Sequence, residues 1–505
     1  MSVFQLNATP LVLKEAGVVL EENVAETAAP PIAILGVPFD NITVSEAVAA
    51  VEKMVLSREP HYLATANVDF LVQALHDVEL RRILMDAHLV LCDGTPLVWA
   101  SRLLGNPLPE RVAGSDLVPL LLQIAAKKKY TVYFLGGTEE ATSKAIKNIT
   151  SQLPDIKIVG YNSPPFASLM EMDHATITQK IKAAEPDLLF VSFGCPKQEK
   201  WIAMHYRKLG VPVCVGVGAT IDFLAGTATR APKWMQKTGT EWTFRLAQEP
   251  KRLLRRYTND LWWFSRAIFK QWWQLQLLSG HKTESSTPTR LGEKEEIKEV
   301  ELPERLNMAT VRQNSMVCEQ ALSNSRQCLL LLDKVKKIDS TGVGLLIRLQ
   351  KRARITNSHL ILVSPSKAVV SALRLMNLYD FFEIAKDHKE ALSRTSQYAS
   401  THVVLRNNYY SSKPSLFWQG EITAANAELV WETTQNHLTS KVKSKLVMID
   451  LSRLLFIDST GLGLMVKTRK VAREMGLKVQ FIGITKNVMS VLKLARLEKY
   501  LLEDK

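Results

Sequence analysis

A chain of 505 residues is longer than one hydrophobic core serves, and its length points to about three domains. Its 46% hydrophobic and 23% charged residues exclude general disorder. The five scattered cysteines, without CxxC pairs or histidine partners, exclude a disulfide framework or zinc cluster and read as a reducing compartment. A net charge of +14 asks for an acidic partner: nucleic acid, anionic lipid or a phosphorylated substrate. There is no basic-then-apolar leader and no run of about 18 apolar residues, so neither a signal peptide nor a transmembrane helix is expected.

Residues 1–30 show no pattern and are expected to form a loose arm. Residues 31–228 alternate β-rich runs (His61–Ala66, Ala87–Cys92, Thr131–Leu135, Leu188–Phe193, Pro212–Val217) with helical stretches such as Val44–Leu56, Asp116–Lys128 and Glu139–Gln152. Strands separated by helices predict an α/β, Rossmann-like, largely parallel sheet with ligand groups at the carboxyl ends of its strands. Residues 229–278 turn basic and aromatic, predicting a helical appendage. Within it, Leu261–Trp273 carries four tryptophans with Arg266 and Lys270, which suits either a lipid headgroup interface or packing against protein. Residues 279–299 read as a linker rich in Ser, Thr, Gly, Lys and Glu. Beyond it the sequence repeats: the IDSTG loop at Asp339 returns at Asp458, 119 residues later, each time after an apolar strand (Cys328–Leu332, Leu446–Leu451) and before another (His359–Val363, Lys478–Ile482). Two small α/β modules, 300–396 and 401–505, are expected; solenoid repeats are shorter, at roughly 20–50 residues.

Four predicted strand ends carry polar residues: TANVD from Thr65, CDGTP from Cys92, GGT from Gly136 and GCPKQE from Gly194. Taken singly each has a plain structural reading. Asp-Gly is a common turn, a glycine pair before a helix lacks both the GxGxxG and Walker patterns, and Pro-Lys-Gln-Glu opens a helix well. Gly136 and Gly137 expose amides that would suit a phosphate, and Asn67 is a candidate contact to a sugar hydroxyl.

The ordered series TANVDF, LCDGTPLVWASRLLG, VAGSDL, YFLGG, FGCPKQEKW, VGVGATIDFLAG, RAP and EWTFRLAQEPKR, from Ile32 to Tyr257, resembles the WecG/TagA/CpsF family of glycosyltransferases. The resemblance implies transfer of N-acetylmannosamine or its uronic acid from a UDP donor onto a polyprenyl-diphosphate-linked sugar in cell-surface polysaccharide synthesis. It also implies a cytoplasmic enzyme peripheral to the inner face of the plasma membrane. By the same resemblance Asp93 is the base that deprotonates the acceptor, Thr65 and Gln198 line its pocket, and Arg245, Arg252 and Arg255 match arginines of an appendage that closes over the site. The alternative for these arginines is a solvated basic helix face. No Asp-x-Asp pair occurs between Ile32 and Trp273, so no metal and no cofactor are expected, and amides and arginines are left to stabilise the departing diphosphate.

The apolar-DSTG-apolar-G loops (Asp339–Gly342 and Asp458–Gly461) resemble the STAS domain of anti-sigma-factor antagonists. That implies a regulatory partner, a serine kinase or anti-sigma-like protein, with Ser340 and Ser459 as possible phosphorylation sites. A helix cap that is never modified explains the same residues. An inactive transferase-fold scaffold with working STAS modules is the competing reading of the whole chain. Nucleic-acid binding rests on net charge alone, since no RRM, KH or zinc pattern accompanies it, and no nucleic-acid partner is expected.

Overall fold

The computed structural model describes residues 29–278, 290–294, 297–323, 325–356, 358–395, 415–439 and 445–502; the arm read at residues 1–30 falls almost wholly outside them. The first unit begins with a hairpin, β1 (Ile32–Ile34) and β2 (Val37–Phe39), followed by α1 (Val44–Ser57), β3 (His61–Ala66), α2 (Val68–His76), α3 (Val78–Asp86), β4 (Leu89–Cys92) and α4 (Thr95–Leu103). It continues through α5 (Gly114–Lys128), β5 (Thr131–Gly136), α6 (Glu139–Gln152), β6 (Lys157–Asn162), α7 (His174–Ala184), β7 (Leu188–Ser192), α8 (Lys197–Leu209), β8 (Val213–Gly216) and α9 (Thr220–Ala225). The appendage is α10 (Lys233–Thr238), α11 (Glu241–Gln248) and the long α12 (Pro250–Leu278).

Six strands form one all-parallel sheet in the order β4-β3-β8-β7-β5-β6. Its central strands are apolar on both faces because helices cover both, so they read as continuous hydrophobic runs. The five strands read in the sequence are therefore present, with ends shifted by a residue or two. Edge strand β6 has no sequence signature: its residues alternate between exposed and half-buried and include Gly160, so they carry no apolar run. The β1–β2 hairpin, two strands of three residues each, is equally too short to stand out in the sequence. Its turn places Leu35 and Gly36 at φ of 50° and 86°, the left-handed pair that a two-residue hairpin needs.

The first repeat unit comprises β9 (Arg290–Lys294), β10 (Ile297–Glu301), β11 (Arg305–Leu306), α13 (Met308–Ser323), β12 (Gln327–Leu331), β13 (Lys337–Ile338), α14 (Ser340–Ile355), β14 (His359–Val363), α15 (Lys367–Leu375), β15 (Glu383–Ala385) and α16 (His388–Thr395). Its main sheet runs β15-β14-β12-β10-β9, with β9 the antiparallel edge. The stretch expected to be linker to residue 299 thus already contains a strand pair from Arg290, whose Arg/Lys/Glu content suits an edge. The second repeat unit comprises β16 (Ser415–Ile422), α17 (Ala427–Thr439), β17 (Leu446–Ile457), α18 (Ser459–Glu474), β18 (Lys478–Ile482), α19 (Lys486–Leu494) and α20 (Glu498–Leu502) around a parallel β16-β17-β18 sheet.

The two repeats attach differently. Residues of the first unit and of the first repeat merge in one apolar core that runs from the β1–β2 hairpin through Phe264 and Ile268 of α12 to Leu345 and Leu346 of α14. The second repeat has a core of its own around Trp418, Leu451 and Leu462. Helix α14 is buried from Ser340 through Ile347, as a helix apolar on all sides must be. Its Gly344 lies so close to the first unit that an added Cβ would come within 2.0 Å of the Pro31 carbonyl oxygen, whereas the matching Gly463 of α18 has nothing within 4 Å. Gly344→Ala is therefore expected to lose about 1–3 kcal/mol of stability. Gly463→Ala should be neutral or stabilising by up to about 1 kcal/mol, because it only removes a helix-interior glycine. Paired thermal melts check both.

Candidate active site

All six strands of the large sheet are parallel, so the polar segments after β3, β4, β5, β7 and β8 emerge along one edge. Asp93 leaves β4 with its N–H donating to the Ala66 carbonyl at 2.9 Å, which sets it beside the end of β3. Asn67 caps α2, its Oδ1 accepting from the Phe70 N–H at 3.3 Å, and its Cβ lies 3.9 Å from where a Cβ on Gly94 would stand. Thr65 is buried; it donates to the Gly216 carbonyl at 3.2 Å and packs against Gly114. The side-chain oxygen of Gln198 accepts from the N–H groups of both Gly194 and Gly218 at 3.1 Å, and its amide nitrogen donates to Glu199 at 2.6 Å. Thr65 thus ties the ends of β3 and β8 together, and Gln198 the loops after β7 and β8.

Of the two glycine amides expected to suit a phosphate, that of Gly137 is engaged within the fold. The Gly137 N–H donates to the Ser192 carbonyl at 3.1 Å, so that amide is already used. What both glycines provide is backbone freedom and room, at φ of 98° and 72°. A Cβ on Gly136 would meet the Ser192 oxygen at 2.4 Å, and one on Gly137 the Thr142 hydroxyl at 2.8 Å.

The electrostatic centre is a cage of arginines and carboxylates. Arg111 pairs with Asp116 at 2.8 Å and with Glu241 at 2.9 Å, Arg230 with Asp116 at 2.6 Å, and Arg245 with Glu241 at 3.3 Å. Glu241 belongs to α11, so this cage fastens the appendage to the sheet. The turn before α11 comes equally close: a Cβ on Gly239 would stand 2.5 Å from Thr95, two residues past Asp93. Arg245 also lies over the Phe223 ring at 5.1 Å. Burial pushes the Asp93 carboxyl up to about 6, against the pull of Arg111 and Arg245 and with the help of Glu241 and Asp116. Glu199 is buried and pushed up to about 7, chiefly by burial.

Arg111, Asp116, Arg230 and Glu241 were not singled out from the sequence. They stand in or beside the quoted segments VAGSDL, RAP and EWTFR, but only folding brings those segments into one place. Of the expected appendage arginines, Arg245 joins the cage. The Arg252 side chain lies outside the described residues. Arg255 is exposed and, with Arg256, Thr258, Asn259 and Trp262, lines a groove of about 770 Å³ on α12. Arg256 pairs there with Asp69 at 2.5 Å. Helix α12 buries Leu253, Phe264, Ile268, Gln271 and Leu275 on one face and exposes Trp262, Trp263, Phe269 and Trp273 on the other. Among the described residues no helix is long and apolar enough to cross a membrane.

A carboxyl tuned to about 6 at the strand ends of a parallel sheet, inside a cage of arginines, has the make-up of an enzyme that moves a proton beside an anionic substrate. The sequence model of the Glycosyl transferase WecG/TagA/CpsF family matches residues 32–277, and that of the STAS domain matches residues 290–391 and 415–504. An N-acetylglucosaminyldiphosphoundecaprenol N-acetyl-beta-D-mannosaminyltransferase from Bacillus subtilis is 30% identical over 223 residues, covering 44% of this chain and 85% of its own. The enzyme of the same name from Staphylococcus aureus strain MW2 is 30% identical over 224 residues, 44% of this chain and 86% of its own. The chain belongs to the WecG/TagA/CpsF family of glycosyltransferases and carries two STAS domains behind the catalytic unit.

If Asp93 works as a base it must be ionised, so turnover is expected to fall about tenfold per unit as pH drops below about 6. The Glu241 charge raises the Asp93 carboxyl, so Glu241→Gln should move this acid limb to lower pH. A pH–rate profile of both proteins checks the sign.

Proposed function

We propose that this chain transfers an N-acetylmannosamine-type sugar from UDP onto a polyprenyl-diphosphate-linked sugar acceptor, with inversion and without a metal ion, in cell-surface polysaccharide synthesis. The observation that carries the reading is the tuned Asp93 within the Arg111–Asp116–Arg230–Glu241–Arg245 cage. The acceptor hydroxyl loses its proton to Asp93 as its oxygen attacks the anomeric carbon, and the bond from that carbon to the UDP oxygen breaks. Negative charge then grows on the diphosphate. The arginines answer it, because Arg111 and Arg245 already act on Asp93 and Arg230 Nη2 is buried with no hydrogen-bond partner among the described residues. Thr65, Asn67, Gln198 and the two glycines shape the cleft for the sugar.

A polyprenyl-linked acceptor is presented at a membrane surface. The exposed aromatic face of α12, with Arg255 and Arg256 in the neighbouring groove, suits contact with the inner leaflet by an enzyme that stays peripheral. The STAS domains then regulate or recruit the enzyme through a protein partner.

The test is UDP release from UDP-N-acetylmannosamine with a short lipid-diphosphate-N-acetylglucosamine acceptor, in chelator, with and without anionic vesicles. Acceptor-dependent release that persists in chelator and rises with vesicles is the expected result. No release with any of several UDP-sugars would instead favour the scaffold reading.

A further inference from the structure

The two IDSTG loops, alike in sequence, meet the catalytic unit in opposite ways. Ser340 is fully buried, within 3.3 Å of the amide nitrogen of Gln271 on α12; that amide in turn bonds the Ala33 carbonyl, and its oxygen accepts from the Leu35 N–H. A charge on Ser340 would have to enter a continuous apolar core. Ser459 stands instead at a polar contact. Its N–H and hydroxyl both donate to the Glu79 carboxylate of α3, at 2.5 and 2.8 Å. Glu79 is held by Lys200 of α8 at 2.8 Å, and Lys200 also pairs with Asp77 at 2.7 Å.

The rest of this contact includes further ion pairs. Glu421 receives Arg82 at 2.5 Å and Arg354 at 3.6 Å, with Asp86 between them, and Glu428 receives Lys208 at 3.0 Å. A module with its own core, joined to its neighbour through ion pairs, moves as a body far more readily than one that shares a core. The α18 N-terminus carries partial positive charge, and Glu79 fills the place an anion would take there.

We propose that the α3–α8 face of the catalytic unit is a reversible docking surface for the second STAS domain, gripped by Glu79 at Ser459, while the first STAS domain is a fixed part of the catalytic unit. A negative charge on Ser459 meets Glu79, Asp77 and the adjacent Asp458, with Lys200 already shared between the first two, and the module leaves. Removing the Glu79 charge turns that same group into a partner for Lys200, and the module returns. This rests on the presence of two STAS domains and is independent of the transferase reading.

The experiment uses the full chain with Lys208→Cys and Glu428→Cys, whose native side chains touch, and a short bis-maleimide. Cross-linking yield is read in four backgrounds: parent, Ser459→Asp, Glu79→Lys, and Ser459→Asp with Glu79→Gln. Losing hydrogen bonds to a charged group should lower the yield about tenfold in Ser459→Asp and in Glu79→Lys. The combined variant should recover most of the parent yield. Glu79→Lys lies outside the module, so a loss there with an unchanged module melt separates undocking from unfolding. Parent-level yields in Ser459→Asp and Glu79→Lys would overturn the proposal, as would a combined variant that melts like the parent yet stays uncross-linked.

Discussion

Asp93→Asn is expected to lower the turnover number by about 10²–10⁴-fold, the range over which a positioned base contributes. Asn keeps the shape of the side chain and its backbone hydrogen bond to Ala66, so donor binding should change little and the loss should fall on kcat. The same substitution should behave differently in a stability measurement. The Asp93 carboxyl is pushed up to about 6 in the fold, above its ordinary value of 3.8, so the folded chain binds more protons than the unfolded chain between these values. Stability contributed by the protonated group is therefore lost as pH rises from about 4 to above 6. At pH 7 the ionised carboxylate is a burden, and Asp93→Asn should melt no lower than the parent. A variant that is inactive yet at least as stable marks a group kept for chemistry; one that loses both marks a structural aspartate. Kinetics and melts on one preparation at pH 7 decide between them.

The second large effect concerns where the chain can be cut. A chain ending at residue 396 loses only the second STAS domain, which keeps its own core. It is expected to stay folded, with transfer activity within a few-fold of the full chain. A chain ending at residue 278 keeps the whole span matched by the transferase family and yet should fare far worse. It uncovers the β1–β2 hairpin, which is fully buried, and the face of α12 carrying Phe264, Ile268 and Leu275. Gln271 would also lose Ser340. Exposed apolar surface of this extent favours association, and a drop of roughly 10 °C in melting temperature or outright aggregation is expected. Size-exclusion chromatography and melts of the two truncations test this directly. Equal behaviour would mean that the shared core contributes nothing to the fold of the transferase.

Much of the candidate site was legible because it lies at strand ends. Asp93, Asn67 and the GG pair follow apolar runs that could only be buried strands, and a parallel sheet sends all such ends to one edge. The roles of single residues were less legible. Gly137 looked like a free amide until pairing gave that amide to Ser192. The family resemblance places Gln198 in the pocket lining; that its side-chain oxygen also bridges two loops is visible only in the fold. The cage around Asp93 was hidden because Arg111, Arg230 and Glu241 sit far apart in the chain. Paired charges give no periodic signal, and an arginine in a buried ion pair reads like one on a solvated face.

The two IDSTG loops set out the division most clearly. Local sequence by itself determined the strand–loop–helix unit at each copy: an apolar strand, an aspartate whose side chain accepts from the N–H groups of the first helical turn, and small residues that let the helix pack closely. Those are short-range preferences, satisfied wherever the segment lies. Only the tertiary structure decided that Ser340 is sealed beside Gln271 while Ser459 faces Glu79, and that Gly344 abuts Pro31 while Gly463 faces open space. Burial depends on what lies across the contact, and nothing within a loop of five residues specifies its opposite surface.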